Sequence, residues 1–292
     1  MYEGLFPSFL IAFRESLEAA LIIVIMAAYL QKLGKTNLNR YLYLGSGAAI
    51  AASIILAGIV QAVYGGLTGI AAETFEGVAS LTAAVVLSYM IFWMSKHAQT
   101  IKGELQEKIE IAVTEGQLFG IAILAFVAVF REGLETVLFL TGTFFLDPLG
   151  TIIGVLIGFV VVFVLALLLI RGVYQLDVRK FFKYTSVILI IFAAGLAGYG
   201  VHELVEAGEG AGVTFGILGQ QAFNINPPSN PDGSYPLLHE KGPVGSILKA
   251  LVGYDGNPEW LRIIVYVGYW LVVSAYILKA YRKNDESSAH KN

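Results

Sequence analysis

Seven stretches of the chain, at roughly 5–31, 41–65, 72–95, 117–145, 150–171, 183–205 and 261–281, are almost unbroken apolar runs. Each exceeds the ~18 residues that mark a helix able to cross a hydrocarbon core about 30 Å thick. The pattern predicts an all-α polytopic membrane protein with seven transmembrane helices in a single membrane domain. Two longer connections break the rhythm. Residues 96–115 are charged, with Ile101, Leu105, Ile109 and Ala112 at helical spacing and Glu104 four residues before Lys108. That spacing predicts an amphipathic helix lying on the inner surface. Residues 206–260 are rich in Gly, Pro and Asn, with a short interfacial or re-entrant helix expected from Pro243 to Val252. The polar tail, 282–292, is expected to be disordered.

Basic residues set the orientation. One alternate set of connections carries Lys32, Lys35 and Arg40; Lys96, Lys102 and Lys108; Arg171, Arg179, Lys180 and Lys183; and Lys279, Arg282, Lys283 and Lys291. The other carries only Lys241 and Lys249, with Arg262 at the start of the last run. By the positive-inside rule the N-terminus is outside and the C-terminus inside. Trp260, Tyr266, Tyr269 and Trp270 then suit an aromatic belt at the outer face. The N-terminus lacks the basic segment of a cleaved signal peptide, so the first run is expected to be retained.

Composition narrows the classes. The chain is 57% hydrophobic and 14% charged, against about a quarter charged in soluble domains. Its net charge of −3 gives no footing for nucleic acid. The absence of cysteine removes disulfides, thiolate metal sites and cysteine nucleophiles.

Against that apolar background one string occurs twice. Phe13-Arg14-Glu15-x-Leu17-Glu18-x-x-Leu21 matches Phe130-Arg131-Glu132-x-Leu134-Glu135-x-x-Leu138 at every written position. The copies fall on the first and fourth runs, so with three helices per unit the second unit starts from the opposite face. This predicts an inverted 3+3 repeat plus one helix: repeat one at 1–95, repeat two at 117–205 and the seventh helix at 261–281. Arg14 is about 14 Å along its helix from Leu5, and Glu135 about 16 Å from Leu146, which places both strings near the midplane. The stripe Gly150, Gly154 and Gly158 bares one face of the fifth helix for close packing.

Charges at that depth are expensive and mark function. Within each string the Arg and both Glu project from one side of the helix. Four Glu and two Arg leave a surplus of negative charge that calls for a cation, and carboxylate oxygens favour hard ones. Which cation is left open; manganese fits as well as iron. The structural alternative is two ion pairs that only fix helix packing. A second acidic set, Glu73 and Glu76 at one helix start and Glu203 and Glu206 at another helix end, falls on the outer side as a cation entrance or as ordinary helix-end charge. His202-Glu203-Leu204-Val205-Glu206 resembles a zinc-protease string but ends in Glu, which removes one helix-borne ligand. His97, His239 and His290 are given no role.

At the doubled Arg-Glu-x-x-Glu string, set among seven helices with an outer Glu-x-x-Glu, the chain resembles the high-affinity iron permease family. That family includes the fungal permease partnered by a multicopper oxidase and bacterial elemental-iron uptake permeases. The resemblance covers nearly the whole chain. It implies import of iron across the plasma (inner) membrane, with Glu15 and Glu18 beside Arg14, and Glu132 and Glu135 beside Arg131, coordinating the metal. Iron is then the transported substrate, with no cofactor bound permanently. The resemblance also implies ferric iron, and hence an extracytoplasmic oxidase or iron-delivery partner. The outer acidic motif of the family corresponds to Glu203 and Glu206. Ser16 in the first string stands where the second has Gly133, a small-for-small change expected to leave the chemistry untouched. Two rivals are an intramembrane carboxylate metal oxidase and a structural or sensory seven-helix protein.

Overall fold

The computed structural model describes residues 4–97, 101–114, 118–170, 178–231 and 234–289. Arg171, His290 and Lys291, singled out above, lie outside them. Nine α-helices occur among the described residues: α1 (Leu5–Lys32), α2 (Asn39–Gly65), α3 (Ile70–His97), α4 (Ile101–Thr114), α5 (Leu118–Leu146), α6 (Pro148–Ile170), α7 (Val178–Gly210), α8 (Pro243–Val252) and α9 (Trp260–Ala289). Strands are absent among the described residues apart from an isolated antiparallel bridge, Gln221 to Glu259. Five helices are long and apolar enough to cross a membrane: α2, α3, α6, α7 and α9. The other two long helices, α1 and α5, each carry an Arg and two Glu inside an otherwise apolar sequence.

Two boundaries differ from expectation. Helix α9 runs through most of the tail expected to be disordered, because residues 282–289 contain neither Gly nor Pro and include good helix formers such as Arg, Lys, Glu and Ala. Helix α7 continues past 205 to Gly210, so Glu206 and Glu209 sit on a helix instead of in the long loop.

The chain forms two compact units, one of Met1–Thr68 with Val85–Ile190, the other of Gly69–Ala84 with Ile191–Asn292. In the first, α1 lies beside α6 and α2 beside α5. A Cβ on Gly154 of α6 would stand 2.3 Å from the Leu5 carbonyl oxygen, and one on Gly45 of α2 would stand 2.1 Å from that of Ala122. Leu5 and Ala122 hold the same position relative to Arg14 and Arg131, so the two pairs repeat one geometry. The expected glycine stripe thus meets the backbone of α1 directly: Gly158 approaches Ala12 and Phe13 in the same way. Only glycine permits axes this close.

Helix α4 buries Leu105, Ile109 and Ala112 of its predicted stripe against protein. These three join Met26 and Leu30 of α1, Leu42 of α2 and Ile121 and Ala125 of α5 in one apolar cluster. In the second unit, α8 starts with Pro243 at its first turn and stops at Gly253, whose φ of 71° is left-handed. A Cβ there would lie 2.5 Å from the Cα of Gly195 on α7, so conformation and space both require glycine. Tyr266 of α9 donates to the Val252 carbonyl at 2.8 Å, closing the turn from the other side.

Candidate metal centre

Helical spacing puts Arg14, Glu15 and Glu18 on one flank of α1, and all three are buried. The Arg14 guanidinium divides its fork between the two carboxylates: Nη1 lies 2.5 Å from Glu15 Oε1 and Nη2 2.8 Å from Glu18 Oε1. Its Nη1 also points at the Met90 sulfur, 3.4 Å away. On α5 the same spacing gives a looser arrangement. Arg131 Nη2 is 3.0 Å from Glu132 Oε1, and Nε is 3.4 Å from Glu135 Oε1. The Arg131 side chain is 46% exposed, against 1% for Arg14, and it lies over the Trp93 ring at 5.4 Å. One sequence motif therefore has two environments: a locked arginine on α1 and a stacked, half-exposed one on α5.

The carboxylates converge between the two helices. One oxygen from each of Glu15, Glu132 and Glu135 lies within 4.8 Å of the others. Two oxygens on opposite sides of a hard cation bound at 2.3–2.6 Å are about 5 Å apart, so a single ion can bridge the group. Glu18 remains against Arg14 and interacts electrostatically with Arg131. Three of the four glutamates also have a buried oxygen with no hydrogen-bond partner: Glu15 Oε2, Glu132 Oε2 and Glu135 Oε2. Buried carboxylate oxygens without donors are costly, and a cation satisfies several at once.

The second acidic set belongs to the other unit. Tyr199 donates to Glu76 Oε2 at 2.7 Å and also bonds Glu203, so these two carboxylates share one phenol. Glu203 is buried and Glu206 exposed. Glu73 lies by Gly210 at the end of α7. His202, Glu203 and Glu206 form a second group whose ligand atoms lie within 4.8 Å of one another. His202 is oriented from the far side, its Nδ1 lying 2.8 Å from Glu259 Oε1. Burial opposes the charge on Glu259, but the bond to His202 outweighs it and holds the carboxyl below the usual range. Sequence reasoning missed Tyr199 and Glu259 here, and read His202 only within the zinc-protease-like string, which it set aside. The i, i+4 spacing of His202 and Glu206 was a usable signal; Glu259, fifty-odd positions away, gave none.

Five helices long and apolar enough to span, together with a family whose name denotes a permease, define a multi-pass membrane protein, and within its first unit α1 and α5 bring buried carboxylates together. The iron permease FTR1 family profile matches residues 5–279, and the chain belongs to that family. Among its relatives, an uncharacterized protein of Archaeoglobus fulgidus is 40% identical over 94% of this chain and 95% of its own length. A ferrous iron permease EfeU of Yersinia pestis is 31% identical over 94% of this chain and 93% of its own. A putative inactive ferrous iron permease EfeU of Escherichia coli K12 is 30% identical, covering 91% and 92% respectively. No solved structure matches the chain.

Proposed function

We propose that this protein imports iron through the cluster formed by Glu15, Glu18, Glu132 and Glu135, with Arg14 and Arg131 balancing the charge. The observation that carries this reading is the set of buried, donor-free carboxylate oxygens drawn together from two helices. Family membership and the relatives named as iron permeases support iron as the cargo. In the proposed arrangement α1, α2, α3, α5, α6, α7 and α9 are the seven spans, the N-terminus is outside, the C-terminus is inside and the membrane is the plasma (inner) membrane. The reciprocal pairing of α1 with α6 and α2 with α5 supports an inverted repeat whose halves rock about the site. Glu73, Glu76, Glu203 and Glu206, with His202, then form an outer entrance that raises the local cation concentration.

Two forms of iron compete for the role of substrate. The family resemblance in the sequence carries ferric iron delivered by an oxidase or other extracytoplasmic partner, whereas the Yersinia pestis relative is named a ferrous iron permease. The deciding assay is radioactive iron uptake into proteoliposomes, with ferrous and ferric iron offered separately and manganese as competitor. A Glu132→Gln, Glu135→Gln variant is the control. These two positions are chosen because half-exposed Arg131 tolerates losing its partners better than buried Arg14. Iron accumulation that the variant abolishes supports the site. Wild-type uptake by the folded variant refutes it, and accumulation of manganese with no preference for iron refutes the cargo.

A further inference from the structure

The two motif helices are equivalent at the carboxylates but not in the layers on either side. Ser8 stands two turns before Glu15, and Ala125 stands two turns before Glu132. Thr143 and Met26 hold equivalent places three turns beyond Glu132 and Glu15. Helices α1 and α5 are antiparallel, so Ser8 meets Thr143 on one side of the cluster while Met26 and Ala125 share the layer on the other.

We propose that the Ser8–Thr143 hydroxyl pair is a thin gate on the path to the carboxylate cluster, and that the Met26–Ala125 layer, backed by α4, is the thick gate that parts to release the ion. This rests on the transport reading above.

The hydroxyl side consists of oxygen. Ser8 Oγ donates to Thr143 Oγ1 at 2.9 Å, and Thr143 donates on to the Leu140 carbonyl at 3.0 Å. Both protons are thereby engaged, and the Ser8 oxygen keeps its lone pairs for a cation. Ser8 and Thr143 are both buried. Beyond them, Thr151 Oγ1 on α6 is a buried oxygen with no hydrogen-bond partner. Next, Asp147 accepts from the backbone N–H groups of Gly4 and Gly150 at the helix ends. A hard cation shedding water along this side meets oxygen at each step. One hydrogen bond closes the route.

The opposite side consists of carbon and sulfur. Met26 and Ala125 are fully buried among Leu30, Leu42, Ile109 and Ile121. Thioether and methyl groups cannot replace the hydration of a hard cation. This layer opens only if the whole cluster separates. Helix α4 supplies Leu105, Ile109 and Ala112 to it while being too short and too charged to span a membrane, so α4 is the part able to leave without unseating a motif helix.

A buried serine–threonine bond can also serve simply as glue between helices, so the test reads permeation and accessibility as well as assembly. The chain has no cysteine, so Ser8→Cys and Ala125→Cys are clean single reporters at equivalent positions. In nanodiscs with both faces open to a charged thiol reagent, Ser8→Cys should be modified about tenfold faster or more. Ile109→Ala, which loosens the α4 contact, should raise modification of Ala125→Cys and leave that of Ser8→Cys unchanged. Full-length Ser8→Ala, Thr143→Val protein should lose about tenfold in initial iron uptake, with equilibrium iron binding in detergent unchanged and Thr143→Ser retaining uptake. Equal modification of the two cysteines, or wild-type uptake by the doubly dehydroxylated protein, overturns the inference. Unequal modification of the two cysteine variants, with a wild type that neither binds nor accumulates iron, overturns the iron reading instead and leaves the thin and thick sides in place.

Discussion

Gly45 and Gly47 lie two residues apart on α2 and should respond to alanine in opposite directions. An added methyl at Gly47 meets nothing within 4 Å, whereas at Gly45 it would stand 2.1 Å from the Ala122 carbonyl oxygen and 2.9 Å from the Ala122 Cα. In a helix interior, replacing glycine by alanine gains about 0.5–1 kcal/mol from backbone entropy alone. Gly47→Ala should show that gain unopposed. At Gly45 overpacking costs about 1–3 kcal/mol, and the obstacle is backbone, which cannot swing aside as a side chain does. The net for Gly45→Ala is a loss of up to about 2.5 kcal/mol, and the two variants should differ by the overpacking cost alone, about 1–3 kcal/mol. Reversible unfolding in mixed micelles, followed by helical circular dichroism, measures the difference. Because α2 seats α5, the Gly45→Ala protein should also lose iron uptake through displacement of Glu132 and Glu135. Equal stability of the two variants would refute the close approach of α2 to α5 and the placement of the α5 motif that depends on it.

Other outcomes follow from local geometry. Arg14→Lys should cut uptake severely, since one ammonium cannot span Glu15 and Glu18 as the fork does, while Arg131→Lys should be milder because that side chain is half-exposed; parallel uptake assays compare them. Gly133→Ser should impair uptake and Ser16→Gly should not, because a Cβ at 133 would lie within 2.7 Å of the Ser53 Cβ; the two strings differ in the space around that position. Asp255 pairs with buried Arg262. Burial opposes its charge, but Arg262 outweighs that and holds its carboxyl below the ordinary 3.8. Stability from this pair is therefore fully present above pH 3.8 and lost as pH falls through the lower folded value. Asp255→Asn should remove that acid-side loss and lower stability at neutral pH by about 3–5 kcal/mol through the stranded arginine. Unfolding titrations between acid and neutral pH read both effects.

The helices were legible because apolar runs of this length have few other uses. The amphipathic spacing of Leu105, Ile109 and Ala112 located α4, and Pro243 with Gly253 bracketed α8. The identity of neighbours was not legible. In a lipid-facing chain nearly every side of a helix is apolar, so periodicity names no partner; exposed Ile54, Phe163 and Val272 look in sequence like buried Leu42 and Leu189. The doubled motif announced its own importance, yet the unlike settings of Arg14 and Arg131 depend on Met90 and Trp93, which lie far from both strings in the sequence. The carboxylates near the end of α7 read as one patch, but Tyr199 ties Glu203 to Glu76 and Glu259 orients His202, partnerships that only tertiary contact creates.

The exchange of partners, α1 with α6 and α2 with α5, constrains how the protein is made. A ribosome delivers α1 first, with Arg14, Glu15 and Glu18 on its flank, well before α5 and α6 exist to cover them. The early segments must therefore wait in or beside the insertion machinery, sheltered from lipid, until more than half of the polypeptide has emerged. Neither half can mature alone, because each lacks the neighbour that its opening segment needs. Truncated chains should accordingly be cleared by quality control. Two halves synthesised separately in one cell should survive only together, and only when both are present within the lifetime of the waiting intermediate.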